Sequence, residues 1–434
     1  MVNKLLNSRL MAAAIAAAVL GLSLILESCT DQCEEKYTYV YYEPVFTPLS
    51  VIRNSVSLTS PQPMEEVGKI YFKDGYLFVN DPGKGIHVID NRNPSQPVQQ
   101  SFISIPGNYD LAIRNSILYA DSYVDLVVLD ISNLQQVKEI NRLENIFSAY
   151  NSLGFYADQE RGIVTNWIER RDVRVDESSC NIRREVWGGF FFRNGVAFMD
   201  AGSFSSKAAI SPGNSTGVGG SMARFTINQD FLYMLDGGNI HAVDISIAQQ
   251  PEKKSSQYLA WDIETIFPYN NLLFIGAQSG MHIFDLQQPE TPSFVSTYRH
   301  INSCDPVVVE NDYAYVTLRS GNECQGFTNQ LEVIHLENLH APKLIKAYPM
   351  YNPHGLGIDR QLLFICDGDA GLKIYSAKDR LAIDKNLLRH YKDIHAYDAI
   401  PLDDVLMLIG KDGIHQYDYS DPKNIVKLSQ LKLK

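Results

Sequence analysis

From about residue 64 onward the chain alternates short apolar runs with polar punctuation. The runs are rich in Val, Ile, Leu, Tyr and Phe, and Asn, Asp, Gly and Ser separate them. Runs of this kind read as strands, and the separators read as hairpin turns. After residue 60 no segment keeps a 3.6-residue apolar period over three turns, so the pattern predicts strands throughout. One run recurs: GIHVID (Gly85 to Asp90), DLVVLD (Asp125 to Asp130), NIHAVD (Asn239 to Asp244) and GMHIFD (Gly280 to Asp285). QLEVIH (Gln330 to His335), GLKIYS (Gly371 to Ser376) and GIHQYD (Gly413 to Asp418) follow. The starts are spaced by 40, 114, 41, 50, 41 and 42 residues.

A period near 40 marks a supersecondary unit that cannot bury its apolar face alone. The second copy shows the unit in full. Leu111 to Ile113 form a first short strand, ILYAD a second, DLVVLD a third, and QVKEINRLEN supplies a fourth. Four antiparallel strands per repeat describe a propeller blade. A solenoid would need atypical polar caps, whereas the last unit ends in IVKLSQLKLK, an outer strand. In the 114-residue gap, two periods leave about 34 residues over. There LGFYADQERGIVTNWIE (Leu153 to Glu169) reads as a first and second strand, and SFSSKAAISPGNSTGVGGS (Ser203 to Ser221) as a Gly/Ser-rich loop. The predicted fold class is an all-β propeller of four-stranded antiparallel blades over 64–434, with an insertion around 170–220. Eight blades are favoured; seven is the alternative if the insertion is only a loop.

GIHVIDNRNPSQP, LVVLDISN and MHIFDLQQPETP resemble the LVIVD repeat, a Leu-Val-Ile-Val-Asp-like strand followed by Ser-Asn-Pro-x-x-Pro. The resemblance covers about 67–147 and 221–434. It departs at LEVIH and LKIYS, where the closing Asp is replaced, and is not visible in 148–220. It implies a propeller similar to those of bacterial surface proteins and gives little chemistry. The closing residues Asp90, Asp130, Asp244, Asp285 and Asp418 stand at strand ends, where a carboxylate accepts backbone N–H bonds and caps the turn.

The N-terminus reads as a targeting segment. Lys4 and Arg9 precede the apolar run LMAAAIAAAVLGLSLIL, Leu10 to Leu26. LESC resembles the lipobox of bacterial lipoproteins, with Glu27 unusual inside it; the alternative is an uncleaved membrane anchor. This gives a signal peptide over 1–28 and makes Cys29 the acylated N-terminus. Asp31, Glu34 and Glu35 follow, as in the acidic tag that directs Bacteroidetes lipoproteins to the cell surface. Residues 29–63 are expected to be a tether and lead-in, with Pro44, Pro48, Pro61 and Pro63 discouraging regular strands. The expected location is the outer membrane, facing outward.

Net charge is −12 and the sequence pI about 5.3. An acidic chain argues against nucleic acid, whose binding rests on Lys and Arg, and against electrostatic adhesion to anionic lipid. Six cysteines suit an oxidising compartment. Cys304 and Cys324 bracket a hairpin turning at Asn311-Asp312, which predicts a disulfide between them.

No nucleophile elbow, phosphate loop or zinc signature occurs. DGDAG, Asp367 to Gly371, stands where other units turn and reads as a hairpin. The leading ends of the first strands offer Asp110, Glu264, Asp305, His354 and Asp398, with alignment uncertain by one residue. In a propeller these ends reach one mouth of the channel. Converging carboxylates there would raise one another's pKa or recruit a cation, calcium or magnesium. Solvated polar residues are the plain alternative, and no catalytic residue is assigned. Two aromatic clusters, Tyr37 to Phe46 and Val186 to Phe192, lie outside the clear units and could pack or bind. The functional expectation is a lipid-anchored binding or scaffold module with a protein or glycan partner. The alternative is an enzyme using the mouth residues.

Overall fold

The computed structural model describes residues 35–148, 156–158, 160–176, 223–300, 306–320 and 328–434. Cys29, Cys304, Cys324, Asp305 and the cluster from Val186 to Phe192 lie outside them. The described residues form eight antiparallel sheets, as many as the units favoured from the sequence. Seven follow the repeat and are numbered as blades: I (70–104), II (111–143), III (225–258), IV (263–299), V (307–349), VI (356–391) and VII (396–432). Each is a meander in strand order, and blade I carries an extra outer strand, β2 (Ser57–Thr59). The degenerate unit gives the eighth sheet. Its short β11 (Ala157–Asp158) and long β12 (Gly162–Asp176) form a hairpin, and β12 also pairs with β1 (Glu35–Thr47).

The chain divides into a minor unit, Met1–Val45 with Asn166–Arg193, and a major unit, Phe46–Thr165 with Asn194–Lys434. In the minor unit Arg170 Nε meets Glu43 Oε2 at 2.8 Å, and Tyr41 and Tyr42 are exposed. The lead-in is thus more regular than its prolines suggest. Pro44 fits within β1 because β1 is the edge strand of its sheet, where a missing N–H costs no ladder bond. In the major unit a one-turn helix, α1 (Leu49–Arg53), follows. Ile52 packs with Val124 of blade II and Ile163 of β12. Arg53 grips buried Asp125 through both guanidinium edges, Nε to Oδ2 at 2.7 Å and Nη2 to Oδ1 at 3.0 Å.

The first strands of blades I to VII contact one another in sequence order. Within each blade the first two strands join through a two-residue turn. Asp74-Gly75, Asn311-Asp312, Arg360-Gln361 and Asp403-Asp404 have both φ angles positive, as a type I′ turn requires. Arg360-Gln361 lacks the usual turn residues and is anchored by ion pairs of Arg360 with Asp359 and Asp404, at 2.7 and 2.5 Å.

The end carrying these turns is built to one plan. The residue after each closing position donates its N–H to the turn below it. These bonds run from Asn91 to Gly75, Ile131 to Ser116, Ile245 to Asp230, Leu286 to Asn271, Leu336 to Asp312, Ala377 to Gln361 and Tyr419 to Asp404, all at 2.8–2.9 Å. The closing Asp then accepts the N–H two residues on, at Arg92, Ser132, Ser246, Gln287 and Ser420, at 2.6–3.1 Å. The Ser132 and Ser246 hydroxyls, then these N–H bonds, hold the carboxyls of Asp130 and Asp244 below the usual range; the Ser420 N–H does so for Asp418 and the Arg92 guanidinium for Asp90. The capping role expected from the sequence is what these side chains perform.

In five of the seven blades the loop so shaped offers a carbonyl to the preceding blade, four residues past the closing position. Tyr119 Oη donates to Ala248 O, Tyr233 Oη to Pro289 O, Ser296 Oγ to Leu339 O, Tyr348 Oη to Arg380 O and Ser429 Oγ to Pro94 O, at 2.5–2.8 Å. Between blades VI and VII the polarity reverses, with Tyr391 Oη accepting Ile425 N–H at 2.9 Å. The bond from Ser429 helps close the ring without exchanging a strand. Around it the amides of Asn91 and Gln416 pair reciprocally at 2.9 and 2.6 Å, both buried, and Lys434 N–H reaches Met64 O. Ile70, Leu77, Val79 and Ile89 of blade I share a core with Ile400, Met407, Ile409 and Ile414 of blade VII.

The latches should be measurable one at a time. Tyr233→Phe removes one neutral hydrogen bond and should lower the unfolding free energy by about 1 kcal/mol. Tyr348→Phe should cost more, about 1–3 kcal/mol, because its hydroxyl also accepts the buried Ile383 N–H at 3.1 Å. Urea unfolding of both variants checks this; equal stability to the parent would show that the loops are not held through these bonds.

Candidate functional site

At the opposite end the first strands begin. Counting back five residues from the first residue of each two-residue turn gives equivalent positions: Lys69, Asp110, Arg224, Thr265, Pro306, Gly355 and Asp398 in blades I to VII. From blade VII through blades I, II and III the charges alternate in sign. The alternation is physically felt: Lys69 lies in the fields of Asp110, Arg224, Asp398 and Glu264. Burial pulls the Lys69 amine below its ordinary value, and the carboxylates oppose that pull.

Three of the five mouth residues expected from the sequence, Asp110, Glu264 and Asp398, therefore act electrostatically on one amine. They do not form an acidic rim. Asp110 and Asp398 are buried, and Lys69 and Arg224 interleave with them. Asp110 Oδ2 accepts the backbone N–H of Arg224 at 2.5 Å and of Phe225 at 3.2 Å, while Oδ1 accepts that of Leu111 at 2.7 Å. Burial raises the Asp110 carboxyl, and Lys69 opposes it. Lys69 and Arg224 both act on the Asp110 carboxyl as resident cations. Among the described residues no group of three or more His, Cys, Asp or Glu is placed to hold a metal.

His354 stands apart from that cluster, in the fields of Arg319, Asp367 and Asp369. Its ring meets Tyr397 edge-on at 5.2 Å, and its Nε2 lies 3.2 Å from the Asn352 amide. Burial, with Arg319, pushes its pKa down to about 3, so it stays neutral. Asp367, from the DGDAG stretch, accepts Asn352 N–H at 2.7 Å and pairs with Lys373 at 2.5 Å, and the stretch turns through Ala370 N–H to Asp367 O at 3.0 Å and Gly371 N–H to Gly368 O at 2.9 Å.

The sequence reading missed several residues here. Asp121 lies beside Asp110, and its Oδ1 accepts N–H groups from Tyr109, Asp110 and the Asn108 amide at 2.7–3.0 Å. Burial nevertheless pushes it up to about 7. Histidine recurs at the third place of the third strand: His87, His241, His282 and His415. Each has a local partner: His87 meets Asp81 at 3.3 Å, His241 meets Asp236 at 3.7 Å, His282 meets Thr297 at 2.8 Å and His415 meets Asp412 at 2.7 Å. The letter H inside four of the seven repeated strands was the available signal. Lys69 and Arg224 were legible as basic residues at strand starts, a position searched only for acids and His.

This mouth end also carries the most exposed aromatic side chains of the blades. Trp261 is 75% exposed, Tyr258 68% and Tyr351 67%, all in or beside the links between successive blades. A shallow surface groove lies elsewhere, at the turn end between blades IV and V, lined by Asp285, Phe294, Glu337, Asn338 and His340. It brings none of the mouth residues together.

Two buried groups should shape the pH dependence of stability. Asp121 titrates higher folded than unfolded, so its contribution is full below about pH 4 and is lost as pH rises toward 7, by up to about 1.4 kcal/mol per unit. His354 titrates lower folded than unfolded, so its contribution is full above about pH 6.5 and is lost as pH falls toward 3. Relative to the parent, Asp121→Asn should gain stability between pH 4 and 7, and His354→Gln should gain it from pH 6.5 down to 4. Denaturant midpoints at several pH values test both; curves parallel to the parent would refute the assignments.

The LVIVD repeat matches residues 66–102 and 110–143. No curated protein matches the chain. Among solved structures, the computationally designed protein Ika8 is similar at 8% identity and a TM-score of 0.50, over 86% of this chain and 92% of that one. Hsv2 of Kluyveromyces lactis aligns at 10% identity and a TM-score of 0.48, over 85% and 99%. BamB of Moraxella catarrhalis aligns at 11% and 0.45, over 90% and 92%. The chain is a β-propeller in fold, with LVIVD repeats matched over residues 66–102 and 110–143.

Proposed function

We propose that the protein is a binding or scaffold module, held outside the cytoplasm by a lipid on Cys29, that receives its partner at the mouth end. The observation that carries this reading is the division of labour between the two ends. At the turn end, loop after loop is committed to the neighbouring blade through its carbonyl and to its own closing residue. At the mouth end, large aromatic side chains stand in water on short links, a cost that binding would recover. The charged cluster below supports a structural part for Asp110 and Asp398, and so weighs against the enzyme alternative.

Two experiments test the reading. Peptide-display and oligosaccharide libraries probed with the protein should yield ligands whose binding falls with Tyr351→Ala or Trp261→Ala and is unchanged by Leu381→Ala at the turn end. Ligands that depend on the turn end alone would contradict the proposal. For the anchor, Cys29→Ala should move the protein from the membrane to the soluble fraction and abolish fatty-acid labelling. A variant that stays membrane-bound and keeps residues 1–28 would instead mark an uncleaved anchor.

A further inference from the structure

The link between blades III and IV, 259–262, is short, and its backbone is pinned on both sides. Leu259 N–H donates to Gly238 O at 2.8 Å. On the other side Asp262, itself 5% exposed, receives Gln278 N–H at its carbonyl at 3.1 Å and Ser279 N–H at its carboxylate at 2.9 Å. The link lies so close to the Gly237-Gly238 turn that a Cβ on Gly238 would stand 2.5 Å from the Tyr258 ring and 2.8 Å from Ala260 O. Glycine is what allows this approach. Trp261 is thus presented to solvent by a rigid frame rather than by a slack loop. Gln278, whose N–H helps to hold Asp262, donates its side-chain amide to Glu264 Oε1 at 2.9 Å, and both side chains are partly exposed.

We infer that Trp261, with Tyr258 and the Gln278–Glu264 pair, forms a platform for a neutral saccharide. This deepens the mouth-end reading above and rests on it. A pyranose has an apolar C–H face and a rim of hydroxyls. An exposed indole takes the face, and an amide–carboxylate pair exchanges hydrogen bonds with adjacent hydroxyls. The acidic chain and Glu264 disfavour anionic ligands. A wholly apolar partner would strip water from the amide–carboxylate pair without replacing its hydrogen bonds, which is unfavourable.

The test uses the chain from residue 30 onward, as purified, with cellohexaose, maltohexaose, mannohexaose and chitohexaose as probes and polygalacturonate as the anionic control. Calorimetry should show binding of at least one neutral probe and none of the control. Trp261→Ala should weaken that binding about tenfold, the scale of one aromatic contact. Trp261→Phe should retain most of it, and Glu264→Gln should weaken it severalfold. Circular dichroism confirms that each variant folds. The inference is overturned if no neutral probe binds, if Trp261→Ala binds as tightly as the parent, or if only the anionic control binds. A peptide ligand lost on Tyr351→Ala, with no neutral probe bound, would sink the saccharide and leave the mouth-end reading standing. Ligands lost only on turn-end substitution would sink both.

Discussion

The structure depends on how the loop after each third strand is held. A propeller blade is a twisted sheet with an exposed edge, and seven repeats alone would not fix how far each rotates from the next. Here the closing Asp bends the chain by accepting the N–H two residues on, and the intervening N–H ties the loop to the first hairpin turn. The bend aims one carbonyl at the preceding blade, where a Tyr or Ser hydroxyl meets it. Local turn chemistry thereby sets blade-to-blade spacing. Where the closing residue is His335 or Ser376 the tie to the turn persists, and Asn338 and Asp379 supply the next cap by accepting N–H from His340 and Leu381.

What was legible in the sequence follows from the same distinction. The repeat, its four strands and the role of Asp130 or Asp244 depend on residues within one unit, so reading along the chain found them. The pairing of β1 with β12 joins segments more than a hundred residues apart, and Pro44 argued against a strand. The mouth cluster was half legible. Asp110, Glu264 and Asp398 were found because each is an acid at a strand start. Their meaning was not, because the alternation with Lys69 and Arg224 exists only once neighbouring first strands lie side by side. The expected acidic positions are interleaved with two cations, and Asp110 and Asp398 are buried.

The proposed reading separates stability from recognition within the mouth end. Asp110, Asp121, Asp398 and His354 are buried, and the shifts of Asp121 and His354 follow from that burial. In that reading, recognition falls to the exposed aromatic links between blades. Trp261 was passed over in the sequence because it is isolated, whereas clustered aromatics draw attention; its importance comes from the frame that Gly238 and Asp262 build under it.

Native-state hydrogen exchange tests the central claim, that the turn end is one structural girdle, most directly. The amides of Asn91, Ile131, Ile245, Leu286, Leu336, Ala377 and Tyr419, which tie the loops to the turns, should exchange only through global unfolding, with the same free energy as the central strands. Exchange of these amides through local opening, well below the global value, would contradict the account.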